Sequence, residues 1–337
     1  MEAHRFEPEH AEPLQALMQR AFSIVPEDAR PKDTPAFLTH MLGQANPAGS
    51  AMLSIASDDD RWVGSASGTA MRFRRSDGKI VTGYQVGYFV VDSSVQRQGM
   101  GKKLIQSLTE ALRQLPDSFI YTYPNARSIA VFDRLQYQRL KSVSTRILLP
   151  HPSMFTGASR GQLNLGNGIK ADLEFVDSQS LLQRLENIRV DDGKKAGFVR
   201  DVAYFKWRFL GPDADRRYHF VYVRANGSDT VLALARHGFH GIKFAVLVDA
   251  LPELTAERYS LITRAAQAAG WKNQAPFVYL NTSIGSGLAF QASTGGVDVP
   301  DRFNPRPVRL LMEPQTSTIK PEELSDSLIM TADWMGF

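Results

Sequence analysis

The chain has 337 residues, 43% of them hydrophobic and 22% charged, with 39 basic and 35 acidic side chains and a formal charge of +4. This composition excludes long disorder and fibrous repeats, and the length favours two domains over one. Cysteine is absent, which excludes disulfides, thiolate zinc sites and a cysteine nucleophile, and fits a reducing compartment. The basic residues are dispersed, so a nucleic-acid partner is not expected. The start, Met1 to Glu7, has no basic stretch followed by an apolar one, and no run approaches the roughly 18 apolar residues of a membrane span. A cytoplasmic protein without membrane insertion is the expectation.

In chain order, Leu14, Leu17, Met18, Ala21 and Phe22 predict an amphipathic helix over 10–22. A loop with Pro26 and Pro31 follows, then a short helix over 35–43. Strands are predicted at 51–56 and 61–71, around Asp58-Asp59-Asp60, and at 80–91 after the turn signal Asp77-Gly78. Leu104, Ile105, Leu108, Ala111, Leu112 and Leu115 form one apolar stripe over 99–115, with Pro116 as the stop. A strand at 118–123, a helix at 126–135 and a strand at 139–149 complete the first half. Residues 150–168, rich in Gly and Pro, read as a linker. Beyond it come a helix at 178–188, strands at 218–224, 230–236 and 242–248, a helix at 253–269 capped by Gly270, and strands at 276–281 and 306–312. The two halves share a coarse order of elements.

One stretch carries chemistry. Val86 to Val91 reads as a strand that runs through Asp92 into Gln96-Arg97-Gln98-Gly99-Met100-Gly101-Lys102, where a helix opens. Two glycines at i and i+2 let the backbone turn sharply and approach a ligand. Free N–H groups of the loop and first helical turn then converge with the helix dipole on one point, a site for a pyrophosphate. Arg97, Lys102 and Lys103 add positive charge. The spacing is neither the dinucleotide-binding nor the Walker pattern.

Gln96-x-x-Gly99-x-Gly101 resembles the acyl-CoA pyrophosphate loop of the Gcn5-related N-acetyltransferase (GNAT) family. Pro124-Asn125-Ala126-Arg127-Ser128, followed by Val131, Phe132, Leu135 and Tyr137, resembles the second signature of that family. The resemblance covers residues 1–149. It implies an α/β (α+β) fold with a mixed, mainly antiparallel sheet flanked by helices, and acetyl-CoA or another acyl-CoA as co-substrate without a metal. It also implies that backbone groups of Phe89 and Val91 hold the pantetheine arm and thioester. Gln96, Arg97, Gln98, Gly99, Met100, Gly101 and Lys102 would hold the pyrophosphate, Asn125 would reach the pantetheine, and Phe132 would line the cofactor site.

Two departures stand out. Phe132 occupies the position where many members carry a tyrosine that protonates the leaving thiolate, and Gln136 stands where glycine is frequent. Phenylalanine donates no proton. Tyr123, on the strand before Asn125, is the candidate acid. Glu27, Asp28 and Asp33 lie in the loop that lines the acceptor side of this fold, and Glu27 is the candidate base.

Residues 201–334 resemble a second, degenerate copy, as in tandem acetyltransferases of bacterial surface-polysaccharide contexts. The features are Tyr204 to Phe209 and a strand ending in Asp249, followed by Ala250-Leu251-Pro252 with no Gly-x-Gly. The expected organisation is an acyl-CoA-binding domain at 1–149, a linker at 150–168 and a degenerate domain at 169–337. Trp207 and its neighbours read as core. His237 and His240 lack further ligands for a metal, and Arg72-Phe73-Arg74-Arg75 reads as a solvated hairpin end with a CoA phosphate as the alternative. The expected activity is acetyl transfer to a small-molecule amine, possibly an amino sugar. The alternatives are a non-catalytic acyl-CoA-binding protein and a protein-lysine acetyltransferase.

Overall fold

A computed structural model describes residues 1–23, 33–149, 162–164, 170–190, 196–225, 227–239, 242–254, 258–275, 277–282, 296–300, 302, 304, 308–315 and 318–330. The first half runs β1 (Ala3–Arg5), α1 (Ala11–Ala21), α2 (Pro35–Leu42), β2 (Met52–Asp58), β3 (Arg61–Arg74) and β4 (Ile80–Val91). It continues with α3 (Met100–Arg113), β5 (Ser118–Thr122), α4 (Ile129–Arg134) and β6 (Gln138–Leu148). The second half opens with β7 (Gln162–Asn164), β8 (Lys170–Val176), α5 (Ser178–Arg184), β9 (Gly197–Phe198), α6 (Val202–Phe209) and α7 (Ala214–Arg217). Then come β10 (Tyr218–Ala225), β11 (Ser228–Phe239), β12 (Ile242–Leu251) and α8 (Tyr259–Lys272). The chain ends with β13 (Phe277–Thr282), β14 (Gly296–Val299), β15 (Val308–Met312) and α9 (Pro321–Asp326).

The described strands belong to one sheet, ordered β1-β2-β3-β4-β5-β15-β6-β13-β12-β11-β10-β8-β7, with β14 on β6 and β9 on β3. The order shows a mutual strand exchange. The last strand of the first half, β6, pairs antiparallel with β13 of the second through Ser144 to Leu148. The last strand of the second half, β15, slots between β5 and β6, with Leu311 opposite Thr122 and Val308 opposite Val143. The sheet therefore does not stop at residue 149.

Side-chain alternation sorts the core into layers. One face of the first half packs α3 and α4 through Leu104, Ile105, Leu108, Leu112 and Phe132 onto Ala66, Val86, Ile120 and Leu311. The opposite face carries α1 and α2 over Leu53 and Val90. That same side continues into an aromatic core shared by both halves, which joins Phe73, Phe119 and Tyr121 to Tyr204, Phe205, Trp207, Phe209, Tyr218 and Phe220. The Trp207 group is thus core, as its composition suggests. On the far side of the second half, α8 packs with Ala265, Ala266 and Ala269 onto Val221, Leu247 and Val278.

The predicted elements recur with small shifts, apart from two differences. The helix at 253–269 begins only at Tyr259, and Gly270 lies inside it rather than capping it. A Cβ on Gly270 would stand 2.8 Å from the Ala275 carbonyl oxygen, so glycine there serves close packing under β13. Most of the linker at 150–168 lies outside the described residues, but Gln162–Asn164 is a strand paired with β8.

Candidate active site

The two central strands of the first half define the site. β4 and β5 pair in parallel from Thr82 opposite Ser118 to Val86 opposite Thr122, and there the pairing stops although β4 runs on to Val91. The Thr122 hydroxyl donates to the Val86 carbonyl at 3.0 Å and closes the last rung. Past it the pairing leaves a gap between Gly87 and Tyr123, where β4 has no partner on the β5 side.

A bulge sits at the mouth of this gap. Ser65 of β3 stands opposite Val90 and Ser67 opposite Gly87, so Tyr88 and Phe89 together face the single residue Ala66. Tyr88 has φ +41°, outside the extended region. The extra residue inverts the alternation. Tyr84 and Val86 pack on the α3 side, but after the bulge Tyr88 and Val90 pack with α1 and α2, whereas Phe89 and Val91 face α3.

Asp92 ends the strand and anchors the loop. Its carboxylate accepts from the Ser94 N–H at 3.1 Å and from Arg20 Nε at 3.1 Å, and Arg20 also donates to the Trp62 carbonyl at 2.7 Å. The Ser94 amide, above all, holds the Asp92 carboxyl below the ordinary aspartate value of 3.8; burial opposes this and Arg20 adds to it. A group with a lowered native pKa stabilises the fold above its unfolded value and loses that contribution as pH falls through its native value. Asp92→Asn is therefore expected to be less stable than the wild type at pH 7. The difference should shrink as pH falls below 3.8 and close once it has passed the lowered native value, where the wild-type carboxyl is neutral too. Urea unfolding at pH 7 and pH 3 checks this; an equal difference at both pH values contradicts it.

The loop then turns through two left-handed residues, a nest geometry. Arg97 has φ +64° and Gly99 φ +76°, so two left-handed residues alternate with ordinary ones before α3 begins at Met100. The N–H groups of Met100, Gly101 and Lys102 open the helix and have no acceptor within it. Gln96 to Gly99 are exposed. Gln96 Nε2 donates to the Val91 carbonyl at 3.0 Å, which ties the loop back to the strand end. A Cβ on Gly101 would stand 2.7 Å from Phe89 Cζ, so glycine lets the helix start rest against the bulge residue. Replacing Gly99 or Gly101 by valine is expected to weaken acetyl-CoA binding at least tenfold in a folded protein. Calorimetry is the measurement, and unchanged affinity would remove the phosphate site from this loop.

The other predicted residues divide. The Asn125 Oδ1 accepts the N–H groups of Arg127 and Ser128 at 2.9 and 3.0 Å, so its carbonyl is spent on the turn into α4, at an exposed position beside the gap. Phe132 is buried, edge-on to Phe89 at 6.4 Å and to Tyr137 at 5.1 Å, and backs the α3 side of the bulge. Tyr123 is half-buried on the opposite side, against the shared aromatic core and edge-on to Tyr121 at 5.8 Å. Glu27 and Asp28 lie outside the described residues. Asp33 is described and pairs with Arg217 of the second half at 2.9 Å. Arg72 pairs with Asp201 at 2.7 Å and Arg75 with Asp77 at 3.2 Å, which leaves the hairpin end engaged with the protein itself. His240 lies outside the described residues, and among those described no group of metal-ligating side chains occurs.

Sequence reasoning missed Tyr88, since nothing in Val86 to Val91 marks a change of face. Among the described residues, the second half repeats the strand pairing without a nest. β12 pairs in parallel with β13 from Phe244 to Val246 and has a register shift against β11 at Ala233 and Leu234. Asp249 there is fully buried with Arg200, at 3.4 Å, and accepts from the Tyr204 hydroxyl at 3.0 Å. Apolar Leu251 and Leu254 occupy the region that corresponds to the loop.

A parallel strand pair that separates at a bulge and leads into a left-handed nest at a helix start defines an acyl-CoA-dependent acyltransferase fold. Residues 12–137 match the acetyltransferase (GNAT) family, so this part of the chain is a GNAT-family domain and the protein an acyltransferase. Among curated proteins, none matches the sequence. Solved structures similar over most of the chain include a probable N-acyltransferase from Enterococcus faecalis V583, with TM-score 0.58, 11% identity, and 93% of this chain and 73% of that one covered. A GCN5-related N-acetyltransferase from Anabaena variabilis gives TM-score 0.56 and 10% identity over 92% of this chain and 72% of that one. Saccharomyces cerevisiae N-myristoyltransferase with bound myristoyl-CoA gives TM-score 0.54 and 10% identity, covering 92% and 81%. At these identities the likeness is one of fold. No described helix is long and apolar enough to cross a membrane.

Proposed function

We propose that the protein transfers an acetyl or related acyl group from acyl-CoA to the nitrogen of a small amine, by direct attack in a ternary complex. The observation that carries this reading is the gap beyond the Val86–Thr122 rung, which leads straight into the Gly99–Gly101 nest. The nest would hold the pyrophosphate and the exposed strand edge of β4 the pantetheine arm. The amine nitrogen attacks the thioester carbonyl carbon, the C–N bond forms, and the C–S bond breaks. The sulfur leaves with the electron pair and takes up a proton, while the former ammonium proton passes to water or a base.

Coenzyme A leaves as a thiol whose pKa is near that of a free cysteine, about 8.5, so the thiolate is a fair leaving group. That makes Phe132 compatible with turnover. Tyr123, at the β5 side of the gap, is the proposed proton donor. Residues 1–149 would hold the acyl-CoA, while 169–337 would complete the acceptor side. An amino sugar is the proposed acceptor class, from the resemblance of the second half to tandem enzymes of surface-polysaccharide contexts.

Thiol release from acetyl-CoA, followed with glucosamine, spermidine and tryptamine, tests the reaction. Phe132→Tyr is expected to retain activity. Tyr123→Phe should lower turnover by about tenfold or less with little change in CoA affinity. If Tyr123→Phe matches the wild type across the alkaline limb of the pH profile, Tyr123 is not the acid. If none of the amines is acylated, the transfer reading fails.

A further inference from the structure

The bulge in β4 sends one side chain, Tyr88, through the sheet to the face opposite α3. That face continues into the aromatic core shared with the second half. Tyr88 is half-buried against the α1–α2 layer, and among the described residues its hydroxyl has no hydrogen-bond partner. Four groups from elsewhere in the chain act on that hydroxyl electrostatically: Asp33, just before α2, and Arg208, Arg217 and Tyr218 of the second half. These groups are held in place. Arg217 pairs with Asp33 at 2.9 Å and stacks over the Phe37 ring at 3.6 Å, and Arg208 donates to the Tyr218 hydroxyl at 3.3 Å. The interface is locked by His40 of α2, whose Nε2 lies 2.7 Å from the Trp207 carbonyl of α6.

Resting on the acyl-CoA reading above, we propose that Tyr88 is the side chain β4 presents to the acyl group. Its hydroxyl hydrogen-bonds the attacking nitrogen of an acceptor that enters between the two halves, over Arg208, Arg217 and Tyr218. Tyr88 and Tyr123 stand at the two sides of the gap and pack on the same face of the sheet, so the thioester would lie between two phenols. Burial, reinforced by Asp33 and only partly offset by Arg208 and Arg217, pushes the Tyr88 phenol well above its ordinary range. It is therefore neutral at working pH: its oxygen accepts an N–H of the amine and leaves the nitrogen lone pair turned toward the thioester, and it is not a base that takes the proton. The strand carries no carboxylate before Asp92, so among β4 side chains this phenol is the polar group at the bulge.

The test is a photoreactive acyl-CoA whose acyl group ends in a diazirine, irradiated with the full-length protein, with and without excess acetyl-CoA. Label on Tyr88 in the tryptic peptide 80–97, suppressed by acetyl-CoA, is the expected result. Suppressible label on α4 with Tyr88 untouched overturns the placement. No suppressible label anywhere contradicts the acyl-CoA site as well. Tyr88→Phe should keep acetyl-CoA affinity within about twofold and lower kcat/KM about tenfold for whichever of glucosamine, spermidine and tryptamine the wild type acylates. Unchanged turnover in a labelled protein removes the acceptor contact, and an affinity loss as large as the turnover loss assigns Tyr88 to the cofactor instead. If the wild type acylates none of the three, the amine-transfer reading fails, while the labelling still decides where Tyr88 stands.

Discussion

A chain ending at residue 300 is expected not to fold, even though it retains the whole of the first half. The missing segment holds β15, which fills the slot between β5 and β6, and α9. Leu310, Leu311, Met312, Ile319, Leu324 and Ile329 are each at most 3% exposed. At roughly 1.5–3 kcal/mol per buried aliphatic side chain, their loss removes about 9–18 kcal/mol as an upper estimate. A whole domain is typically stable by about 5–15 kcal/mol. Glu313 goes with them: 1% exposed, it is ion-paired with Arg113 of α3 at 2.5 Å. Deletion would also leave β5, one wall of the gap, as an open edge. The expected result is an aggregated product or one without a cooperative transition in urea. A soluble, monomeric, cooperatively unfolding 1–300 fragment would show that the strand exchange does not hold the halves together.

The second large effect is expected at Asp249. Its carboxylate is fully buried against Arg200, whose side chain is 1% exposed, and it accepts from Tyr204 and from the Ala250 N–H at 2.9 Å. Removing one partner of a buried ion pair costs about 3–5 kcal/mol, and the second carboxylate near Arg200, Glu253 at 3.9 Å, is 42% exposed and compensates only in part, whereas replacing both partners by apolar residues is often neutral. Asp249→Ala should therefore lower unfolding free energy by about 3–5 kcal/mol, and Asp249→Leu with Arg200→Met should recover most of it. Acetyl-CoA stoichiometry should not change in a folded variant, because no Gly-x-Gly follows directly on Asp249 in the sequence. Denaturant titration is the check, and a loss below about 1 kcal/mol for Asp249→Ala would mean the pair is solvated.

The contrast between the halves explains which features the sequence displays. α3 was legible because Leu104, Ile105, Leu108 and Leu112 repeat at helical spacing, and the nest because Gly99 and Gly101 stand between a strand and that helix. The strand exchange was not, since pairing of β5 with β15 or of β6 with β13 depends on contacts across more than a hundred residues that no local pattern encodes. The bulge was hidden for a different reason. Gly87 to Val91 are apolar or aromatic on both faces, so period-2 alternation carries no information about a change of face at Tyr88. Gly270 misled because a glycine near a helix end suits both a cap and a close contact. Asn125 and Tyr123 follow β5 directly, so the second motif places them beside the gap, whereas the side chains that α6, α7 and β10 bring to the Tyr88 face lie more than a hundred residues away in sequence.

The central claim is that this chain binds one acyl-CoA, at the gap and nest of its first half. Calorimetric titration of the full-length protein with acetyl-CoA, run beside Gly101→Val, measures this directly. One molecule per chain for the wild type, with affinity at least tenfold weaker in the folded variant, is the predicted result. Two equivalent sites per chain, or one site that Gly101→Val leaves untouched, would contradict it.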